Sequence, residues 1–183
     1  ESTVIGAFVE ALIAPGYEPE ALELLKKHKS LRIMLLEDFC PEGRRHDLDL
    51  KKIPGGLVIQ TPDLDFAARS DLKIVTKKSP TEEQLRSLLF ADRIAKHVKS
   101  NAIVLAQGTR IVGCGAGQMS RVDSCLIASR KAGQRAAGSC LASDAMFPAR
   151  DGLDAAAATG AVAILQPGGS RADEEVIAAA DEH

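Results

Sequence analysis

SNAIVLAQGTRIVGCGAGQMSR, residues 100–121, alternates strand-forming runs with glycine-rich turns. Two β-type runs, 102–105 and 110–112, flank Gln107-Gly108-Thr109, which predicts a hairpin. The second run empties into Gly113-Cys114-Gly115-Ala116-Gly117, and Ser120 then opens a helix over 120–132 with Asp123 as its capping partner. A glycine-rich turn feeding a helix N-terminus offers unpaired N–H groups and the positive end of a helix dipole, which suits a phosphate or carboxylate. The same residues equally make a tight strand-to-helix turn that binds nothing. A dinucleotide fingerprint is a poor match, because the spacing is G-x-G-x-G and the preceding unit is a hairpin rather than βαβ.

Downstream, a short strand over 139–143 gives way to SDAMFPARDG, residues 143–152, where Asp144, Arg150 and Asp151 gather polar groups. Strand ends of this kind are where open α/β sheets place ligands. Asp151 also has a purely structural use, as the cap of an alanine-rich helix over 152–159. A further buried strand, 161–166, ends in Pro167-Gly168-Gly169-Ser170, and Ser170 with Asp173 makes another capping box before the last helix. Upstream, Thr81 and Gln84 box the start of a helix over 82–98, whose Leu85, Leu88, Leu89, Ile94, Ala95 and Val98 recur at helical spacing. Lys96-His97 sits near the end of that helix, where cations suit the dipole. From residue 79 the chain therefore reads α-β-β-α-β-α-β-α, an α/β pattern that one αβα layered sheet accounts for.

Residues 1–78 read as a separate piece. A helix running into a buried strand is expected over 4–14, a short amphipathic helix over 19–29 and an apolar strand over 31–36. A charged connecting loop follows over 39–52, then strands over 57–60 and 73–76. Glu10 stands inside an apolar run, where an unpaired buried carboxylate is costly; a partly exposed helix end is the alternative.

Composition bounds the function. The 183 residues are 45% hydrophobic and 26% charged with a net charge of −2, so no broad basic surface invites nucleic acid. No apolar run approaches the roughly 18–20 residues of a membrane span, and no signal peptide opens the chain. Cys40, Cys114, Cys125 and Cys140 lack C-x-x-C spacing, and no H-x-E accompanies them, so reduced thiols in a cytoplasmic protein without a metal are expected. The chain starts at Glu1 without a methionine and stops at His183 inside or just beyond a helix, the pattern expected of a cut piece.

Four segments, KHVKSNAIV, GCGAGQMSRVDS, LASDAMFPARDG and ILQPGGSRADEEVIAAADEH, resemble the signature segments of one family; EALIAPGYEPEALELLKKHKSLRI and GGLVIQ match as well. That family is the transformylase module of the bifunctional purine-biosynthesis proteins, aminoimidazole carboxamide ribonucleotide (AICAR) formyltransferase, fused in most members to inosine monophosphate cyclohydrolase. The resemblance implies a zinc-free cytidine-deaminase-like fold, with the tail of a first repeat in residues 1–78 and a complete second repeat in 79–183. It implies formyl transfer from 10-formyltetrahydrofolate, as co-substrate, to the exocyclic amine of AICAR, and a homodimer in the cytoplasm.

Residue by residue, the resemblance implies that Glu10, Asn101, Arg121 and Met146 face the nucleotide. Met146 stands where the family usually has a stacking phenylalanine. It implies that Val122, Asp151, Ser170 and Arg171 contact the folate, with Asp151 hydrogen-bonding the pterin-like ring. Asn101 and Asp151 are then the catalytic residues of this segment. Formyl transfer passes through a tetrahedral intermediate with a developing oxyanion, while the attacking amine loses a proton. It therefore needs hydrogen-bond donors and a nearby base. The family's Lys-His pair belongs to an earlier part of the module and is absent; Lys96-His97 is not that pair. The chain alone is accordingly expected to be inactive. Two functions remain open: part of a formyltransferase, or a free-standing, catalytically incomplete homologue that binds folate or nucleotide or serves in assembly.

Overall fold

Two compact units, Glu1–Leu64 and Asp65–His183, divide the chain in a computed structural model that describes residues 9–37 and 48–183. Residues 4–8 of the expected 4–14 segment and residues 39–47 of the expected loop, Cys40 among them, lie outside the described residues.

In the first unit, β1 (Ala11–Ala14) and β2 (Arg32–Leu35) pair in parallel around helix α1 (Pro19–Leu25). Pro19 opens α1 because its fixed φ and missing N–H suit a first helical turn. β1 alternates exposed and half-buried positions and β2 is exposed but for Ile33, rather than both being buried throughout, since a two-stranded sheet has too few neighbours to cover both faces. The expected loop over 39–52 needs correction. Asp49–Ile53 is a strand, β3, paired antiparallel with β4 (Gly56–Gln60) in the register Ile53↔Gly56 to Asp49↔Gln60. Pro54-Gly55 closes the hairpin, with Gly55 at φ +79°, the conformation a glycine after proline supplies in a tight turn.

The second unit begins with residues that run onto its helices. Arg69 pairs with Glu82, and the backbone N–H of Lys77 donates to the Asp181 carboxylate at 2.8 Å. The strand expected over 73–76 does not form: β-branched residues favour a ladder only where a partner strand stands beside them, and none does here. The Thr81–Gln84 capping box forms as expected, Thr81 Oγ1 accepting from Gln84 N and Gln84 Oε1 from Thr81 N. It opens α2 (Glu82–Ala95), which ends three residues before the expected Val98.

The remaining elements are β5 (Ile103–Gln107), β6 (Arg110–Gly115), α3 (Arg121–Ala132), β7 (Cys140–Ser143), α4 (Arg150–Ala158), β8 (Ala163–Leu165) and α5 (Asp173–Glu182). Their order is the expected α-β-β-α-β-α-β-α. The strands line up as β6-β5-β7-β8, with β5 antiparallel to both neighbours and β7 parallel to β8. Alternation along β5 builds two cores. Ile103 and Leu105 join Val112, Cys125, Leu141, Phe147, Leu153 and Val176, so α3, α4 and α5 cover one face. Val104 and Ala106 join Ala91, Ala95 and Ala142, so α2 covers the other.

The glycines of the opening stretch have a different job from the one a phosphate loop would give them. Gly113 and Gly115 lie inside β6, two residues apart and therefore on one face, directly under α3. A Cβ on Gly115 would stand 1.9 Å from the Ser124 carbonyl oxygen, and one on Gly113 2.3 Å from that of Ala128. Their absence of side chain lets helix and strand backbones touch.

Cys114, Cys125 and Cys140 are free thiols in or under the sheet, and burial pushes all three up, Cys125 to about 12. At pH 8 the Cys125 thiolate fraction is then about 10⁻⁴, and only thiolate reacts. Iodoacetamide at pH 8 should leave Cys125 unlabelled in the folded chain and label it in urea, read by peptide mass spectrometry. Rapid labelling under native conditions would contradict the burial.

Candidate functional site

Because β5 runs against β6 and β7, its beginning lies beside their ends: Ile103 pairs with Gly115 on one side and Ser143 on the other. β8, parallel to β7, finishes at the same end. Polar residues from four segments gather there. Asn101 precedes β5, Gln118 and Arg121 follow β6, Ser143 closes β7 with Asp144 and Ala145 behind it, and Gln166 follows β8.

Ser120 caps α3, its hydroxyl accepting from Asp123 N at 3.0 Å and donating to the Asp123 carboxylate at 2.7 Å. The expected box thus forms by half, with Asp123 bonding the Ser120 side chain. This cap sets Arg121 at the first helical position, aimed back across the strand ends. Its Nη1 donates to Asn101 Oδ1 at 2.7 Å and its Nη2 to Asp144 Oδ1 at 3.2 Å; its Nε lies 3.1 Å from Ser143 Oγ and 3.3 Å from the Ala145 carbonyl oxygen. Arginine carries five N–H groups in a rigid fork, so one side chain can hold four acceptors. The Arg121 and Asp144 side chains are only 12% and 15% exposed, so each needs the other's charge. Asn101 is held at its other end, Nδ2 donating to the Gln118 carbonyl at 2.9 Å, and Ser124 Oγ donates to the Asn101 carbonyl at 2.8 Å.

The second group of sequence candidates lies on the neighbouring turns. Phe147 is fully buried, and its backbone N–H donates to Gln166 Oε1 at 2.8 Å, which turns the chain out of β7 and leaves Met146 40% exposed. Asp151 stands exposed in the first turn of α4, its Oδ1 accepting from its own neighbour Gly152 N at 2.7 Å. The cap position of α4 belongs to Ala149, so the expected capping role of Asp151 is not what the fold uses. Ser170 is half-buried, its Oγ 3.5 Å from the Pro148 carbonyl, which brings the Gly168–Ser170 turn beside the Phe147-Pro148 turn. The expected capping box there forms by half: the Asp173 carboxylate reaches back to Ser170 N as expected, and to Gly169 N, while Ser170 Oγ accepts from Ala172 N instead of Asp173 N. Val122 is half-buried in the first turn of α3, and Arg171 is exposed. Glu10 is exposed ahead of β1 in the first unit, its carbonyl accepting from Arg32 N at 3.0 Å.

The structure thus joins Asn101 directly to Arg121, adds Ser143 and Gln118, which sequence reasoning did not name, and brings in Asp144, which it noted only as a polar group at a strand end. Their one signal is a serine and an aspartate closing an otherwise apolar strand. Among the described residues no cluster of His, Cys, Asp or Glu is placed to hold a metal ion, and no helix is long and apolar enough to cross a membrane.

Comparison with known proteins follows the same lines. The family described as AICARFT/IMPCHase bienzyme matches residues 2–131. A bifunctional purine biosynthesis protein, PurH, of Magnetococcus marinus is 50% identical over 186 residues, an alignment that covers 96% of this chain and 35% of that relative. The chain therefore spans about a third of the length of the curated relative it matches.

Proposed function

The chain belongs to the AICARFT/IMPCHase bienzyme family, whose curated relative acts in purine biosynthesis, and from that premise we propose that it forms part of the module that transfers a formyl group from 10-formyltetrahydrofolate to AICAR. The observation that carries this reading is the Asn101 carboxamide, fixed between Arg121 and the Gln118 carbonyl at the end of a sheet. A neutral donor held in place costs no reorganisation when charge develops on the formyl oxygen, which is the form of help that acyl transfer uses most. Arg121, which holds Asn101, and Met146 make the nucleotide side of this unit; the family likeness assigns Glu10 to the nucleotide as well. Val122, Asp151, Ser170 and Arg171 make the folate side, and the exposed Asp151 carboxylate, one oxygen of which accepts from Gly152 N, is the group that takes a ring N–H pair. In this reading the fold is cytidine-deaminase-like, one whole repeat with the tail of another, and the active protein is a cytoplasmic homodimer. The proton acceptor for the attacking amine is the Lys-His pair of an earlier part of the module.

A hybrid tests this directly: residues 1–183 replace the aligned stretch of the Magnetococcus marinus protein. The hybrid should form formyl-AICAR from AICAR and 10-formyltetrahydrofolate, whereas the 183-residue chain alone should not. Within the hybrid, loss of a charge-assisted hydrogen bond worth about 1.5–3 kcal/mol means that Asp151→Ala weakens use of the folate by about one to two decades. Its melting temperature should move little, because Asp151 is not the N-cap and gives up only one hydrogen bond, to its own neighbour Gly152 N. An Asp151→Ala hybrid that melts early yet keeps its folate KM would remove Asp151 from the site.

A further inference from the structure

We propose that Asp144 is a positioning residue: acting through the Arg121 guanidinium, it fixes which end of the Asn101 carboxamide is presented to the ligand. The identity of that ligand rests on the functional reading above; the geometry does not. An asparagine side chain has two orientations related by a half-turn, which exchange its acceptor and its donors. Arginine has donors only, so Arg121 Nη1 at 2.7 Å requires Oδ1 toward it. The Gln118 carbonyl is an acceptor only, so at 2.9 Å it requires Nδ2. Both neighbours demand the same orientation, and one Nδ2 hydrogen is left over for the site.

What fixes the guanidinium decides whether that orientation persists. Ser143 Oγ and the Ala145 carbonyl hold Nε, but both are neutral. Among the described residues, Asp144 is the carboxylate within ion-pair distance of Arg121. Asp144 is itself tied to the strand that begins beside Asn101: its Oδ1 accepts from Ala102 N at 3.0 Å, and its own N–H donates to the Ala102 carbonyl at 3.3 Å. The residue thus straps the end of β7 to the start of β5 while neutralising the arginine between them. Without the carboxylate, a guanidinium 12% exposed has no counter-charge and is driven toward water, and Asn101 Oδ1 loses the donor that orients it.

Asp144→Asn is the informative change, because it keeps an oxygen for Ala102 N–H and removes only the charge. In the ¹⁵N-labelled 183-residue chain, the Asn101 side-chain amide protons should exchange with solvent about tenfold faster or more, while the Ala102 backbone amide stays protected. Arg121→Lys keeps a cation beside Asp144 but forfeits the fork, and should free Asn101 in the same way; it also decides the matter if Asp144→Asn does not fold. In the hybrid enzyme both variants should lower kcat by about tenfold or more with the folate KM little changed, since displacement of a reacting group acts on the chemical step. Unaltered Asn101 exchange and kcat in both variants, with only the melting temperature lowered, would overturn the proposal. An unmutated hybrid that transfers no formyl group would count against the functional reading alone, and the exchange measurement would still decide the role of Asp144.

Discussion

Gly115→Ala should cost more than about 3 kcal/mol, at or beyond the upper end of ordinary overpacking, and lower the melting temperature by about 10 °C or more. The added methyl would meet the carbonyl oxygen, carbonyl carbon and Cα of Ser124 at 1.9, 2.6 and 2.8 Å, all backbone atoms that cannot rotate away. Relief requires α3 to lift from β6 as a body. Arg121 rides on the first turn of that helix, and the Ser124 hydroxyl holds the Asn101 carbonyl, so the site must loosen with it. Thermal melting measures the first effect, and Asn101 side-chain exchange measures the second. A stable Gly115→Ala protein with Asn101 undisturbed would mean that helix and strand are not in contact at this point.

Asn101→Ala in the hybrid should lower kcat by about 10²–10³-fold, the loss that follows removal of one preorganised donor to an oxyanion. The nucleotide KM should move far less, because the donor's value lies in the transition state rather than in ground-state binding. The variant also strips Arg121 Nη1 of its acceptor, so some stability goes with it, and the assay is best run well below the melting temperature. Formyl transfer at the unmutated rate would show that Asn101 is no part of the chemistry.

Element order in the second unit was legible because each segment carries its own period. The Leu85, Leu88 and Ala95 spacing marks α2, and the apolar run Ile103–Ala106 marks a strand buried on both faces. The glycines were ambiguous for a physical reason. A phosphate loop and a helix pressed on a strand both require a missing Cβ, and the answer lies with Ser124 and Ala128, placed by the fold rather than by the local pattern. At the start of β3 the alternation Leu48-Asp49-Leu50 is a strand signal, but the surrounding charges read as loop. Residues 73–76 show the opposite error, strand propensity with no strand to join. Asn101 and Arg121 were named by likeness of motif, whereas Asp144 was noted only as a polar residue at a strand end. Its part in the site exists only through contacts across 23 and 42 residues, invisible to any local window.

The polar corner draws on segments from Asn101 to Gln166, and this governs the order in which it can come into being. Arg121 leaves the ribosome 23 residues ahead of Asp144, a delay of about 1–5 s at ordinary rates of synthesis. Through that interval its guanidinium and the Asn101 carboxamide are solvated and bear no penalty. Burial becomes tolerable only when β7 docks beside β5 and delivers the carboxylate together with Ser143 Oγ and the Ala145 carbonyl. A nascent chain that stops short of residue 144 therefore lacks the counter-charge that burial of Arg121 requires.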